Sequence, residues 1–404
     1  MLPRRRVPLR KADFVEWSRA LLGPGAAPGA DVRRFEEAFA RYLGCPAALA
    51  TASGREAIAV ALQAAGFDRG AEIIVPAYTL GELLPGLQGL GLTPVPADIE
   101  EDTFNMSVAA AAARIGPATR FILATHLLGA PCDISALGEL ARDKNIVVIE
   151  DCAHALGAAV QGRKVGTFGD AAIFSFEPNK AVPTYGGGML AINKPEWIGR
   201  ATEILADRRR VAGPALRRAF SVWLEELVIR SPFYGWLARL LFSGPLAGRF
   251  EKFYRGSHTR ARRPSVAYSD FQARLGLQRL AELDARNEFL NARWNALAAA
   301  LPPAFVPQKR DAAGAPSFYN FVVRSAVAPD RLRGAAIRRG VDVGVGSQVE
   351  DDCAALLGDA GCPVAARTFR QAVLLPLYQS MSEKEVAQLA AVMKNLAQEG
   401  AAES

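Results

Sequence analysis

From about residue 30 to 195, short apolar runs alternate with stretches of helical spacing. Four runs stand out: Glu72–Tyr78 (EIIVPAY), Phe121–Leu128 (FILATHLL), Ile146–Ala153 (IVVIEDCA) and Ala171–Phe176 (AAIFSF). None alternates polar with apolar, so each reads as a strand buried on both faces, which requires helices on both sides of the sheet. Between them, Ser107–Arg114 and Ile134–Lys144 carry helical spacing. Strands separated by helices predict an α/β domain with a mostly parallel sheet, whose ligands gather at the carboxyl ends of the strands.

The rhythm breaks between 196 and 263, where Arg and aromatic residues concentrate. Within that stretch, 222–242 (VWLEELVIRSPFYGWLARLLF) is strongly apolar and is split by Ser231-Pro232. A helical pattern resumes from Tyr268 to Leu301. Phe318–Val323 and Ala372–Leu375 then read as strands, and Ser382–Leu396 as a closing helix whose cap Ser382 has Glu385 as its reciprocal partner. The expected organisation is an N-terminal segment (1–29), a large α/β domain (30–195), a helical Arg-rich insert (196–263) and a small C-terminal α+β domain (264–404).

Composition adds bounds rather than detail. The chain has 404 residues, 50% of them hydrophobic and 22% charged, which is globular composition with enough length for a sizeable core. A net charge of +7 suits acidic small molecules or anionic surfaces; no zinc spacing, recognition helix or aromatic RNA motif points to nucleic acid. The five cysteines are scattered, without CxxC or Cys/His ligand spacing, so no metal site is expected. No secretory signal and no bilayer-length apolar run occurs, making the reducing cytoplasm the expected compartment.

Three features carry candidate chemistry. Ser53 is a good N-cap for the helical run that follows Gly54 and Arg55, and a helix start offers N–H groups to a phosphate. Glu150 and Asp151 emerge from an apolar strand, where acids must be paired, solvated or used. Gly169-Asp170 leads through a strand to Ser175, Lys180, Thr184 and Gly186-Gly187-Gly188. Together they place a phosphate cradle, a carboxylate and an amine in loops at one edge, the parts that pyridoxal 5'-phosphate chemistry needs. His126 reads as a core histidine and Cys152 as packing beneath the site.

The order SGREA, VPAYT, DIEEDTFN, THLLGAPCD, IEDCAHALGA, GDAAIFSFEPNK and GGGML resembles the DegT–StrS family of fold-type I aminotransferases, strongly over residues 30–195 and weakly beyond. The resemblance implies pyridoxal 5'-phosphate as cofactor. It makes Lys180 the Schiff-base lysine, Asp151 the partner of the pyridine nitrogen, His154 a neighbour of the ring, Ser175 a phosphate ligand, and Gly54 and Arg55 donors of backbone N–H groups to the phosphate. It implies a ping-pong amino transfer from glutamate or glutamine to a nucleotide-linked keto-sugar, by a homodimer. A histidine in place of this lysine marks the family's dehydratases, so Lys180 favours transamination. Several positions depart from the family: Arg55 replaces threonine, Leu80 replaces a stacking aromatic, Tyr185-Gly186 replaces Gly-Glu, Ser265 falls near a subunit-bridging asparagine, and Gly346-Ser347-Gln348 replaces His-Tyr-Pro. These departures lie mostly on the substrate side. The 222–242 stretch suits packing against a second subunit, a peripheral membrane contact, or a wall for a lipid-linked or other hydrophobic keto substrate. A non-catalytic regulator that binds the cofactor is a further alternative, against which intact Lys180, Asp151 and Ser175 argue.

Overall fold

The computed structural model describes residues 1–22, 29–206, 209–210, 212–236, 239 and 266–402. Much of the expected insert, including residues 237, 238 and 240–242 of the apolar stretch and Ser265, lies outside the described residues.

Seven strands form the main sheet: β1 (Ala47–Thr51), β2 (Glu72–Pro76), β3 (Thr93–Ala97), β4 (Thr119–Thr125), β5 (Val147–Asp151), β6 (Ala171–Ser175) and β7 (Gly188–Ile192). Their order is β1-β7-β6-β5-β4-β2-β3. β7 runs antiparallel to both neighbours and the other pairings are parallel. The four apolar runs are thus the four strands β2, β4, β5 and β6. The edge strands were hidden in the pattern: β3 (TPVPA) contains two prolines, which only an edge tolerates, and β1 (AALAT) is alanine-rich.

Around the sheets lie helices α1 (Lys11–Leu22), α2 (Ala30–Leu43), α3 (Gly54–Ala65), α4 (Ile134–Asp143), α5 (Gly213–Arg230), α6 (Asp270–Ala281), α7 (Leu283–Ala300) and α8 (Glu383–Ala402). Alternate strand residues face opposite layers. Ile74, Ile122, Val148 and Phe174 pack with Phe35 and Phe39 of α2, whereas Ile73, Leu123, Ile149 and Ile173 pack with Ile58 and Val60 of α3. Burial on both faces is why these strands lack alternation.

A second sheet, β8 (Phe305–Pro307), β9 (Phe321–Ser325), β10 (Gly344–Val345) and β11 (Ala372–Leu375), is antiparallel with order β8-β9-β11-β10. Helix α8 begins with the expected reciprocal cap: the Ser382 N–H donates to Glu385 Oε2 at 2.7 Å and the Glu385 N–H to Ser382 Oγ at 3.3 Å. Residues 270–281, which the sequence pattern groups with this C-terminal unit, pack instead on the large one. Ala273 and Leu280 of α6 join the core of the main sheet, and a Cβ on Gly276 would lie 2.6 Å from the Phe35 ring. Only α7, through Leu290 and Leu297, enters the small core. The helical pattern is continuous across Glu282, so it does not reveal where the chain changes partners.

Between β6 and β7 the chain must turn back within a confined space. A Cβ on Gly188 would stand 2.6 Å from the Gly54 nitrogen and 2.7 Å from the Phe174 oxygen, both backbone atoms that cannot rotate away. Gly188→Ala is therefore expected to destabilise the protein by about 1–3 kcal/mol, the usual cost of overpacking, read as a lower midpoint in urea denaturation.

Candidate functional site

The carboxyl ends of β4, β5 and β6, the start of α3 and the loop that leaves β6 surround a cavity of about 550 Å³. Gly54, Arg55, Asp151, His154, Ser175 and Lys180 all line it, so the structure brings together the six residues singled out in the sequence.

Asp151 is the last residue of β5, 7% exposed, with Oδ1 accepting the Ala153 N–H at 3.0 Å. Burial pushes its carboxyl above the ordinary range, while the Ala153 N–H, Lys180 and His126 pull it back. Glu150, one residue earlier, points to the opposite face, as strand geometry requires. Its oxygens accept the N–H groups of Gly166, Phe168 and Gly169, each at 2.7 Å, and Oε2 lies 3.0 Å from His126 Nε2. His126, Glu150 and Cys152 bring possible ligand atoms within 4.8 Å of one another. The three backbone donors and the histidine account for the Glu150 carboxylate without an ion, and the Cys132 N–H donates to His126 Nδ1 at 3.1 Å. The acidic pair therefore divides into one structural carboxylate and one that faces the cavity.

Helix α3 starts beside Ser175. Ser53 Oγ accepts the Glu56 N–H at 3.1 Å and Glu56 Oε2 accepts the Ala52 N–H at 2.6 Å, a cap that aims the helix start at the cavity. A Cβ on Gly54 would come within 3.3 Å of Ser175 Cβ, so glycine permits the helix to approach the end of β6. The Arg55 guanidinium reaches Glu82 Oε2 at 2.6 Å, engaged at the cavity rim. Both residues of this pair line the cavity.

Lys180 projects from the β6–β7 loop with Nζ 4.2 Å from the centre of the Tyr319 ring. Asn179 Nδ2 donates to the Tyr319 hydroxyl at 2.8 Å. The same ring stacks on His154 at 3.9 Å and 11°, so one imidazole face is covered by the small domain. Burial and Lys180 hold the His154 pKa well below its ordinary value. The Leu128 N–H lies 3.4 Å from His154 Nδ1, which fits a neutral ring protonated at Nε2. Leu80, in the position of the family's stacking aromatic, lines the cavity. Tyr78 does not substitute for it: that ring is fully buried and packs edge-on to Phe104, on the other side of the strand.

Three further contributions had no role assigned from the motifs. Thr125, at the end of β4 beside Asp151, has a buried Oγ1 with no hydrogen-bond partner in a wall of the cavity. Glu350, 5% exposed, lies with Oε1 3.8 Å from His154 Nδ1; burial pushes its carboxyl up to about 8 despite Lys180, with Asp351 and Asp151 adding to the rise. Among the described residues, no hydrogen bond reaches its side chain. Finally, α5 closes one side through Arg218, Val222, Glu226 and Ile229, with Arg218 Nη2 3.7 Å from Glu177 and Glu226 Oε1 accepting the Val7 N–H at 2.7 Å. These residues lie far apart in sequence: Thr125 opens the THLLGAPCD motif, which assigns it no role, Val222, Glu226 and Ile229 fall in the 222–242 stretch for which a substrate wall is one reading, and Arg218 and Glu350 belong to no motif read there.

The donor set fits pyridoxal phosphate. A helix start and Ser175 suit its phosphate, a buried carboxylate suits its ring nitrogen, an amine suits its aldehyde, and the orphaned Thr125 hydroxyl calls for a polar ligand atom.

The model for the DegT/DnrJ/EryC1/StrS aminotransferase family matches residues 13–212. GDP-perosamine synthase of Vibrio cholerae is 38% identical over 185 residues, 46% of this chain and 50% of that protein. The L-glutamine:scyllo-inosose aminotransferase of Streptomyces griseus is 36% identical over 179 residues, 44% of this chain and 42% of that one. The chain thus spans about half the length of the curated relatives it matches. An aminotransferase structure from Psychrobacter cryohalolentis superposes with a TM-score of 0.77 over 98% of this chain and 99% of that one, at 21% identity, and shares the fold. From residue 13 to 212, the stretch that carries Lys180, Asp151, His154, Ser175, Gly54 and Arg55, this chain belongs to the DegT/DnrJ/EryC1/StrS aminotransferase family.

Proposed function

We propose that the protein is a pyridoxal-phosphate-dependent aminotransferase, a homodimer that moves an amino group from glutamate or glutamine to a nucleotide-linked keto-sugar by a ping-pong mechanism. The observation that carries this reading is the convergence of Lys180, Asp151, Ser175 and the start of α3 on one cavity. The GDP-perosamine synthases among the relatives support a nucleotide-linked acceptor, and the inosose enzyme supports glutamine as donor.

When bound, pyridoxal phosphate supplies an electron sink for a carbanion and a carrier for the amino group. Ser175 Oγ and the N–H groups of Gly54 and Arg55 would hold its phosphate, Asp151 its ring nitrogen, and Lys180 its aldehyde carbon. Burial of Asp151 in a dry wall strengthens a charge-assisted bond there. Lys180 Nζ takes and returns the proton that amino transfer moves. The Tyr319 ring beside Nζ restricts its travel, and Asn179 fixes that ring through its hydroxyl. Neutral His154, clamped between Tyr319 and the Leu128 N–H, shapes the floor without adding charge. Glu350, kept protonated by burial, offers the cavity a hydrogen-bond donor beside His154.

Purified protein mixed with pyridoxal phosphate is expected to show a visible absorption band that fades on adding L-glutamate or L-glutamine. In Lys180→Ala the band is absent and turnover falls by about 10²-fold to 10⁴-fold or more, the worth of positioned proton transfer. Turnover near wild type in that variant would remove the reading.

Glu350 yields a separate expectation for cofactor-free protein. Its carboxyl is raised from an ordinary 4.5 to about 8 in the fold. Below 4.5 both states hold the proton. Between 4.5 and 8 the unfolded chain releases it while the folded chain keeps it, so stability falls as pH rises across that window. Glu350→Gln is expected to flatten this decline, and melting temperatures across the window should show the variant gaining on wild type toward pH 8. Parallel curves would refute the assignment.

A further inference from the structure

Thr125 closes β4 directly beside Asp151. The two are register partners on parallel strands, and the His126 N–H donates to the Asp151 carbonyl oxygen at 3.1 Å, so the pairing continues past both. Side chains that stand opposite one another on neighbouring strands share a face, and their chain neighbours take the other face. Thr125 and Asp151 accordingly line the cavity, whereas His126 and Glu150 meet on the far side of the sheet, 3.0 Å apart. Thr125 is 4% exposed, and among the described residues nothing bonds to its Oγ1. A β-branched side chain is stiff at χ1, so the hydroxyl is presented in few directions. Burying it bare costs free energy that a valine of the same shape would avoid. Such a hydroxyl in a cavity wall points to a ligand atom.

Strand order says which atom. β6, β5 and β4 lie side by side, about 4.8 Å from one to the next. Ser175 ends β6 with the start of α3 against it, Asp151 ends β5, and Thr125 ends β4. A pyridoxal phosphate ring carries its phosphate arm and its hydroxyl oxygen on opposite edges, one on each side of the line from ring nitrogen to aldehyde carbon. With the phosphate over β6 and the nitrogen over β5, the ring oxygen is turned toward β4. We propose that the Thr125 hydroxyl donates a hydrogen bond to this ring oxygen. The inference rests on the pyridoxal-phosphate reading of the site and adds a cofactor contact to it. Two contacts, at phosphate and nitrogen, leave the ring free to rock about the line that joins them. A third at the oxygen, from a neighbouring strand, stops that motion and holds the aldehyde carbon toward Lys180. Because all three donors and acceptors stand on or beside strand ends of one sheet, their spacing is set before the cofactor arrives.

Equilibrium dialysis of the cofactor-free protein against pyridoxal 5'-phosphate tests the contact. Thr125→Val keeps the shape of the side chain and removes the hydroxyl. It is expected to raise the dissociation constant by about tenfold to a hundredfold, the worth of one hydrogen bond to a charged group. Without cofactor the sign reverses: Thr125→Val should melt at or above the wild-type temperature, because the hydroxyl it loses has no partner. Thr125→Ser, which keeps a hydroxyl, should recover most of the affinity. With 3-deoxypyridoxal 5'-phosphate, which lacks the ring oxygen, wild type and Thr125→Val should bind alike. Equal affinity of the two proteins for pyridoxal 5'-phosphate overturns the inference. So does a gap that persists with the deoxy analogue, which would assign the hydroxyl to another atom. A cofactor-free Thr125→Val that melts well below wild type also overturns it, by making the hydroxyl a structural group. Wild type that binds neither compound and shows no visible band removes the pyridoxal-phosphate reading itself, and the inference with it.

Discussion

The loop from β6 to β7 must do two incompatible-looking things: push Lys180 into a cavity and return the chain antiparallel between β1 and β6. Backbone bonds close it. The Phe176 N–H donates to the Gly187 oxygen at 3.0 Å, and the Thr184 and Gly186 N–H groups donate to the Phe176 oxygen at 2.9 and 3.1 Å. Closure requires left-handed backbone at three successive residues, Tyr185, Gly186 and Gly187. Glycine adopts that conformation freely; a tyrosine is strained there. The strain is held by the phenol itself, whose oxygen donates to Asp13 Oδ2 and accepts from Trp223 Nε1, both at 2.8 Å. Asp13 is in turn paired with buried Arg279 at 2.7 Å. One side chain thus ties α1, α5 and α6 to the loop that presents the lysine. Removing a partner from such a buried set leaves an uncompensated charge, which costs far more than a surface pair.

Three buried carboxyls near the site show how environment assigns work to identical chemistry. Glu150 is saturated by three backbone donors and a histidine, and its role is to hold the 166–169 turn against β5. Asp151 keeps one oxygen committed to Ala153 and leaves the other toward the cavity. Glu350 has neither arrangement and keeps its proton instead. A buried polar group left without a partner is expensive, and the Thr125 hydroxyl sits where a ligand would complete it. The chain near the antiparallel sheet takes part in the site: Tyr319, just before β9, covers His154 and flanks Lys180 at once.

The candidate site was legible because parallel strands end on the same side of a sheet. Once β5 and β6 were read from their apolar runs, Asp151, Ser175 and Lys180 had to approach one another, and the capped start of α3 followed. The pattern was silent on β7, because its residues follow directly from three glycines, and on β1 and β3, because alanine and proline mask edge strands. It was also silent on the fate of α6, since a helix of the same spacing packs equally well on either core.

By itself, the sequence determined the α/β class, the four central strands, the caps of α3 and α8, and the order of the residues that line the cavity, because each follows from local spacing or from neighbours along one strand. Only the tertiary structure decided that Arg55 pairs with Glu82, that Tyr319, Glu350 and Thr125 complete the cavity, and that α5 stands in its wall. Those outcomes depend on groups brought together from distant parts of the chain, and neither burial nor the pKa shifts that follow from it exists until the chain has packed.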